Sequence, residues 1–242
     1  MADLNIGVES QFEAVHEMCR GYRTEVGPDF AVSTTPADIE FERAKSAAED
    51  RAEGHAVREY KDPYLETLAV YRKIAERLPE YGGFLIHGSC IAVDGQAYLF
   101  TAKSGTGKST HARLWMRLLG EKAQYINDDK PLVRFRDGVP LIYGTPWDGK
   151  HHLSTNMSAP LRAVCILERA AENHIEKISA AEAYPMLVQQ TYRPADPLAL
   201  AKTLQLLDAL GKAVSFYRLG CNMEPQAAEV SFAAMRGAYH ET

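Results

Sequence analysis

The 242-residue sequence lacks the marks of several protein classes. No apolar run approaches the ~20 residues that span a bilayer, and residues 1–5 do not begin a basic segment followed by an apolar one, as a secretory signal would. The balance of 27 Lys and Arg against 32 Asp and Glu leaves no excess of positive charge, which argues against a protein that coats nucleic acid. We therefore predict a cytoplasmic protein with no nucleic-acid or membrane partner.

Cysteine is scarce, and internal repeats and low-complexity tracts are absent. Cysteine occurs at positions 19, 90, 165 and 221 with no C-x-x-C spacing, which predicts reduced, buried thiols. With 46% hydrophobic and 24% charged residues, the composition excludes a disordered chain or a collagen-like rod. The length suits one main domain with a smaller lobe.

The first third of the chain predicts a small lobe. Thr35 can cap a charged helix over Pro36–Arg51, and Pro63 can open a second helix with one apolar stripe. From residue 84, short apolar runs and turn residues appear instead. We predict an α+β lobe at 1–80 and a nucleotide-binding domain at 81–242.

The second part of the chain alternates hairpins with helices, which does not fit a simple βαβ repeat. Asp94-Gly95 predicts a primed hairpin turn. We expect an α/β fold with a mixed sheet. The predicted strands are 84–86, 91–93, 98–101, 125–126, 132–135, 141–143, 163–167 and 214–219, and the predicted helices are 109–119, 180–190, 197–210 and 225–235.

Residues 102–109, A-K-S-G-T-G-K-S, fit a phosphate-binding loop (Walker A) between a predicted strand and a predicted helix. Gly105 and Gly107 let the backbone curl so that its N–H groups point inward. Lys108 can reach the β- and γ-phosphates of ATP, and the Ser109 hydroxyl can bind Mg²⁺. The remaining residues predicted to bind the nucleotide are Ser104, Thr106 and Thr110.

An acidic pair, Asp128 and Asp129, follows the predicted strand 125–126. One carboxylate can hold Mg²⁺ while the other accepts a proton from an attacking hydroxyl; the alternative is a simple turn, since Asn127 and the two aspartates are all turn formers. His87 follows another strand. A histidine there is usually structural, but it can also bond to an aspartate and keep it ionised.

His87-Gly88, the loop 104–109 and the acidic pair resemble the C-terminal kinase domain of HPr serine kinase/phosphorylase, which is related to phosphoenolpyruvate carboxykinase. The resemblance covers about Phe84 to Leu219. It implies a mixed-sheet P-loop core of that type and a Mg²⁺-dependent, ATP-using kinase that acts on a Ser hydroxyl. Since the parent family forms hexamers, it also implies a homo-oligomer. By match, Lys108 and Ser109 contact phosphate and metal, and His87 with the two aspartates forms the acid–base group, with Asp128 favoured as base and Asp129 as metal ligand.

The chain departs from that family in ways that bear on the substrate. Thr110-His111 stands where an acid is usual, and a Tyr143–His152 segment replaces the family's downstream phosphorylase segment. The chain is more similar to short, stand-alone HPr-kinase-like proteins such as the lasso-peptide kinases. A peptide or another protein is therefore a better expected acceptor than HPr, and neither phosphorolysis nor decarboxylation is expected.

The 143–152 segment has two interpretations. It can close on the γ-phosphate or the acceptor, with Lys150 neutralising the transferred charge, or it can be a surface loop anchored by a buried Trp147. A metal site at His151-His152 is disfavoured because adjacent side chains point apart.

Two other functions stay open. The chain could bind ATP as a nucleotide-gated regulator without transferring phosphate, or it could phosphorylate a small molecule. The acidic pair discriminates against the first, because a pure binder needs no second carboxylate as a base.

Overall fold

The computed structural model describes residues 1–52 and 54–237. It divides into two compact units, one comprising Met1 and Asp3–Arg77, the other Ala2 and the chain from Leu78 onward. The boundary predicted at residue 80 falls in a short 3-10 segment, Leu78–Tyr81, at the start of the second unit. Within the described ranges, no helix combines the length and the apolar character needed to cross a membrane.

The first unit contains two parallel strands and three helices. The strands β1 (Ile6–Glu9) and β2 (Phe30–Ser33) pair in parallel. The helices are α1 (Ala14–Met18), α2 (Pro36–Ala52) and α3 (Asp62–Arg77). Helices α2 and α3 confirm the two predicted helices, and the apolar stripe of α3 is buried as its spacing indicates.

The second unit is built on a mixed sheet that runs β3-β7-β8-β9-β5-β4-β6, with β11 also paired to β9 and β10 beyond it. Its strands are β3 (Gly83–Leu85), β4 (Ser89–Val93), β5 (Gln96–Thr101), β6 (Ala123–Asn127), β7 (Leu132–Arg136), β8 (Val139–Tyr143), β9 (Ser158–Arg169), β10 (His174–Ile178) and β11 (Ser215–Cys221). Its helices are α4 (Lys108–Leu119), α5 (Ala180–Gln190), α6 (Pro197–Ala213) and α7 (Gln226–Arg236).

Two apolar cores lie on opposite faces of this sheet. One joins Leu99 of β5 to Leu187 of α5 and Leu207 of α6, and the other joins Phe100 of β5 to Trp115 of α4 and to α7. Adjacent residues of β5 thus face different cores, as the two-residue period of a strand requires. The predicted α/β fold with a mixed sheet is confirmed: β5, β9 and β11 are parallel, whereas the other pairs are antiparallel.

The hairpin between β4 and β5 brings polar side chains to one end of the sheet. Its turn is Asp94-Gly95, with φ of 50° and 75°, the left-handed pair of a primed turn. The register runs from Val93 opposite Gln96 to Ser89 opposite Phe100. Ser89 therefore lies at the same end as the residues that follow Thr101.

Strand β10 was not predicted, because its side chains are mostly exposed and charged, and only Ile178 is buried. It pairs with β11 as an outer strand. All four cysteines are free; Cys90 and Cys165 are buried, while Cys19 and Cys221 are half-buried.

Candidate active site

The segment 102–107 joins the end of β5 to the start of α4, the strand–loop–helix arrangement that the sequence predicts. Gly105 and Gly107 have φ of 72° and 123°, a region that other residues rarely adopt. Gly107 directly precedes Lys108, the first residue of the helix, so the free N–H groups and the positive end of α4 face the loop.

Lys108 lies against the loop itself. Its Nζ donates to the carbonyl oxygens of Ala102 at 3.0 Å and Lys103 at 3.4 Å. Burial lowers the pKa of Lys108, while the charges of Asp129 and Asp128 act to raise it. The ammonium is therefore within electrostatic reach of both acids.

Asp128 is attached to the phosphate-binding loop. The carboxylate is buried, with 7% of the residue exposed, and it accepts a 2.5 Å hydrogen bond from Ser89 Oγ. Burial raises the pKa of Asp128, and the side chains of Ser89 and Ser109 oppose the rise. A carboxylate and a hydroxyl oxygen thus lie side by side at the start of α4.

Asp129 has different partners. Its Oδ1 lies 3.3 Å from His87 Nε2, and its Oδ2 lies 3.8 Å from Lys130 Nζ. Burial alone would raise the pKa of Asp129, but the hydrogen bond from His87 and the positive charges of Lys130 and Lys108 outweigh it, so this pKa is lowered. The structure thus places His87 beside the acidic pair. This agrees with the second of the two interpretations of His87, in which it bonds to an aspartate.

His87 is itself held at both ends of its backbone. Its N–H donates to the carbonyl of Gln190, the last residue of α5, at 2.8 Å, and its carbonyl accepts from Thr101 Oγ1 at 2.8 Å. The next residue, Gly88, donates its N–H to the Asp129 carbonyl at 2.9 Å. The position of His87 relative to Asp129 is thus set by hydrogen bonds to three segments, two of them through backbone atoms and one through the Thr101 hydroxyl.

The two acids differ in surroundings, and the difference bears on their roles. The resemblance favoured Asp128 as base and Asp129 as metal ligand. In the structure the side chain of Ser109, the candidate metal ligand, acts on Asp128, and His87, the candidate partner of a base, contacts Asp129. The two carboxylates therefore have different neighbours, while their chemical roles stay predictions.

Asn127, which sequence reasoning treated only as a turn former, is fully buried behind the acidic pair. Its Oδ1 accepts the backbone N–H groups of Asp129 at 2.9 Å and Lys130 at 2.7 Å. Its Nδ2 lies 3.0 Å from Thr145 O, 3.1 Å from Thr145 Oγ1 and 3.3 Å from Trp147 O. The one local feature of the sequence that could have drawn attention to Asn127 is its place directly before two acidic residues.

The 143–152 segment combines features of both its interpretations. Residues 144–148 are buried, and Trp147 is 5% exposed, as expected of an anchoring tryptophan. The segment then reaches Asp129, since a Cβ placed on Gly149 would lie 3.1 Å from Asp129 Cβ. Lys150 and His151 follow in an exposed 3-10 turn, and the charge of His151 acts on Asp128.

The other predicted nucleotide ligands remain on the phosphate-binding loop. Ser104 and Gly105 are exposed, Thr106 is half-buried, and Thr110 Oγ1 accepts from Arg113 at 3.3 Å. Sequence reasoning missed Arg169, at the end of β9, which donates to the Gly105 carbonyl at 2.5 Å. No local motif marks it, because β5 and β9 become neighbours only in the folded sheet.

His111 belongs to the core rather than to the site. Its Nε2 lies 3.0 Å from Ser231 Oγ of α7, which also accepts from Trp115 Nε1 at 2.8 Å. Burial lowers the pKa of His111 to about 4. These contacts fix α4, and with it Lys108 and Ser109, against α7.

Ser109 and Asp128 suit Mg²⁺ by the chemistry of their donors. Mg²⁺ takes oxygen ligands and is usually bound by one or two carboxylates together with substrate phosphates. Across residues 1–52 and 54–237, no group of three or more His, Cys, Asp or Glu side chains is arranged to hold a metal ion. The candidate set is therefore the hydroxyl and carboxylate pair at the start of α4.

A model of the family described as SynChlorMet cassette protein ScmC matches residues 59–195, more than half of the chain. The chain belongs to the ScmC family. The ScmC match includes the phosphate-binding loop, the acidic pair and the 143–152 segment. The sequence resemblance named HPr serine kinase/phosphorylase, whereas the family model that matches the chain is that of ScmC.

Among the solved structures that are similar to this ScmC chain is the Hpr(Ser) kinase/phosphatase from Coxiella burnetii, at 13% identity over 65% of this chain and 99% of that chain, with a TM-score of 0.32. No curated protein matches this member of the ScmC family.

Proposed function

We propose that this ScmC-family chain is a Mg²⁺-dependent ATP phosphotransferase that moves the γ-phosphoryl group to a serine hydroxyl of a peptide or protein. The observation that carries the proposal is the division of the acidic pair. The side chain of Ser109, next to Lys108, acts on the carboxylate of Asp128, and His87 lies 3.3 Å from the carboxylate of its neighbour Asp129. Phosphoryl transfer needs both a metal ligand beside the phosphates and a base beside the acceptor.

The phosphate-binding loop and Lys108 supply the nucleotide-binding part. The backbone N–H groups at the start of α4 face the β- and γ-phosphates, and Lys108 Nζ exchanges its loop carbonyl partners for phosphate oxygens. Ser109 and Asp128 would hold Mg²⁺, which when bound neutralises the charge that develops on the phosphates. Under this assignment the metal ligand is Asp128, the carboxylate whose pKa is raised, and it must be ionised to bind Mg²⁺.

Asp129 supplies the base. Because its pKa is lowered, its carboxylate is ionised at neutral pH and can accept the proton of the acceptor hydroxyl. The acceptor oxygen forms a bond to the γ-phosphorus, the bond from that phosphorus to the bridging oxygen breaks, and ADP leaves. His87 orients the Asp129 carboxylate through its 3.3 Å contact.

The acceptor class rests on the resemblance to short HPr-kinase-like proteins. Lys150 and His151 lie exposed beside the acidic pair, where a side chain of the acceptor would have to enter. Since the family name describes a cassette protein, precursor peptides and carrier proteins encoded beside this chain are the acceptors to try first.

The test uses the full chain with γ-labelled ATP, Mg²⁺ and serine-bearing peptides, and calorimetry measures Mg²⁺–ATP binding in parallel. Lys108→Ala should abolish nucleotide binding, while Lys122→Ala, at an exposed lysine beyond α4, should not. Asp129→Asn should retain binding and lose transfer, whereas Asp137→Asn, in a remote turn with φ of 50°, should leave both unchanged.

Three results would contradict the proposal in different ways. A wild-type chain that takes up no Mg²⁺–ATP would overturn it entirely. Binding without transfer to any acceptor would favour a nucleotide-gated binding protein. Label that appears on free serine or a sugar but on no peptide would identify a small-molecule kinase.

A further inference from the structure

Asn127 joins two segments that are 15 or more residues apart in the sequence. Its amide oxygen holds the backbone of the acidic pair, and its amide nitrogen holds the backbone of the 145–147 segment. We propose that Asn127 is a positioning residue that fastens this segment to the acidic pair and thereby fixes Asp129 for proton transfer. The inference rests on the proposed function and adds to it a residue that touches neither nucleotide nor acceptor.

Only a carboxamide of this length supplies both halves of the contact. The oxygen accepts two N–H groups at 2.9 and 2.7 Å, whereas the nitrogen faces three oxygen atoms at 3.0–3.3 Å. An aspartate has the same shape and keeps the accepting half, but when ionised it has no proton to donate. Asn127→Asp therefore separates the two halves without changing the volume of the side chain.

Burial makes the loss of the hydrogen bonds donated by Asn127 costly. Asn127 and Thr145 are both fully buried, so water does not readily replace the lost hydrogen bonds. In the variant, a carboxylate oxygen would face the carbonyl oxygens of Thr145 and Trp147, which repel it. The segment has to move away from residue 127.

Such a movement reaches Asp129 by two routes. Thr145 Oγ1 donates to the Lys130 carbonyl at 3.1 Å, which ties the segment to the residue after the acidic pair. Gly149, at the far end of the segment, lies against Asp129: a Cβ there would be 3.1 Å from Asp129 Cβ and 3.4 Å from Cγ. The carboxylate of Asp129 thus lies between His87 on one side and Gly149 on the other.

The first experiment compares turnover with binding in Asn127→Asp, with rates normalised to the measured stoichiometry of Mg²⁺–ATP binding. We expect kcat for phosphoryl transfer to fall at least tenfold, while Kd and KM for Mg²⁺–ATP stay within threefold of wild type. A loss of folded protein alone would lower the binding stoichiometry and leave the normalised kcat unchanged. A normalised kcat within twofold of wild type would overturn the inference and leave the proposed function intact.

If Asn127→Asp does not fold, two further pairs of variants test whether the segment from Thr145 to Gly149 positions Asp129. Gly149→Ala should lower kcat like Asn127→Asp, because its Cβ presses on Asp129, whereas Gly138→Ala has a similar φ (81° against 73°) and open space around it and should keep kcat. Thr145→Val should lower kcat, and Thr145→Ser, which retains the hydroxyl, should restore it. Equal kcat within either pair would contradict the inference.

Tryptophan fluorescence reports on the position of the 145–147 segment without requiring phosphoryl transfer. In a Trp115→Phe background, Trp147 is the one remaining tryptophan, and it is nearly buried. Adding Asn127→Asp should shift its emission to longer wavelength and increase acrylamide quenching. Unchanged emission would show that Asn127 does not hold the segment, whereas absence of Mg²⁺–ATP uptake by wild type would overturn the proposed function instead.

Discussion

Gly88 stands where β4 begins beside the candidate active site, and a single added methyl group there should damage both stability and activity. A Cβ at Gly88 would lie 2.6 Å from Leu99 Cδ1 and 2.8 Å from the Phe100 carbonyl oxygen. Neither can move freely, because Leu99 is fully buried and β5 is paired on both sides. Alanine fits the backbone conformation of Gly88, whose φ is not positive, so the whole cost is steric.

Overpacking of this kind costs about 1–3 kcal/mol, and contact with a fixed backbone atom places Gly88→Ala in the upper half of that range. For a chain of this size, each kcal/mol lowers Tm by roughly 2–4 °C, so a fall of about 4–12 °C is expected. Both tryptophans, Trp115 and Trp147, lie in the second unit. Their fluorescence on heating therefore follows the unit that contains the substitution.

The same substitution should lower kcat, since Gly88 N–H bonds to the Asp129 carbonyl and its neighbour His87 contacts the Asp129 carboxylate. Gly237→Ala is the matched control, because no atom lies within 4 Å of its added Cβ and its φ is −66°. If Gly88→Ala melts within 1 °C of Gly237→Ala and turns over at the same rate, the close approach at Gly88 does not constrain the site.

Three further predictions concern single side chains. Ser231→Ala should destabilise the second unit by roughly 2–4 kcal/mol in urea unfolding, because it removes the partner of two buried ring nitrogens; a cost that does not shrink in a Trp115→Phe background would contradict this cause. His87→Gln should shift the acid limb of the kcat–pH profile to higher pH: Asp129 is active when ionised, its activity is lost as pH falls through its pKa, and removing His87, which lowers that pKa, lets it rise. An acid limb that stays in place or moves to lower pH would exclude this pairing. Asp128→Asn should raise the Mg²⁺ concentration for half-maximal rate at least tenfold, and an unchanged Mg²⁺ requirement would remove Asp128 from the metal site.

The parts of the fold that were predictable from the sequence are those with local signals. The Asp94-Gly95 turn, the strand–loop–helix around residues 102–109 and helix α5 each depend on residues adjacent in the chain, and each was located from them. Strand β10 was missed because it is an outer strand whose charged, exposed residues do not produce a hydrophobic alternation.

The partners of the two acids were not predictable in the same way. Asp128 and Asp129 are adjacent in the sequence, so their spacing cannot distinguish them. Their neighbours come from two other segments, residues 87–89 and the start of α4 at Ser109, which the folded sheet brings to the acidic pair. Asn127 was interpreted as a turn residue for a similar reason. Two of the hydrogen bonds of its side chain go to backbone atoms 18 and 20 residues away, and a single sequence carries no sign of them.

The hairpin turn at Asp94-Gly95 has a bearing on chemistry at the opposite end of its strands. Val93 and Ser89 stand at the two ends of this ladder, roughly 13 Å apart along the strand, yet the length of the turn decides which residue of β4 lies opposite Phe100. Inserting one amino acid there would slide the ladder by a position, and successive side chains point to opposite faces. Ser89 would then turn away from Asp128 although neither residue had been altered, so a distant reverse turn helps to set the hydrogen bonding of a proposed metal ligand.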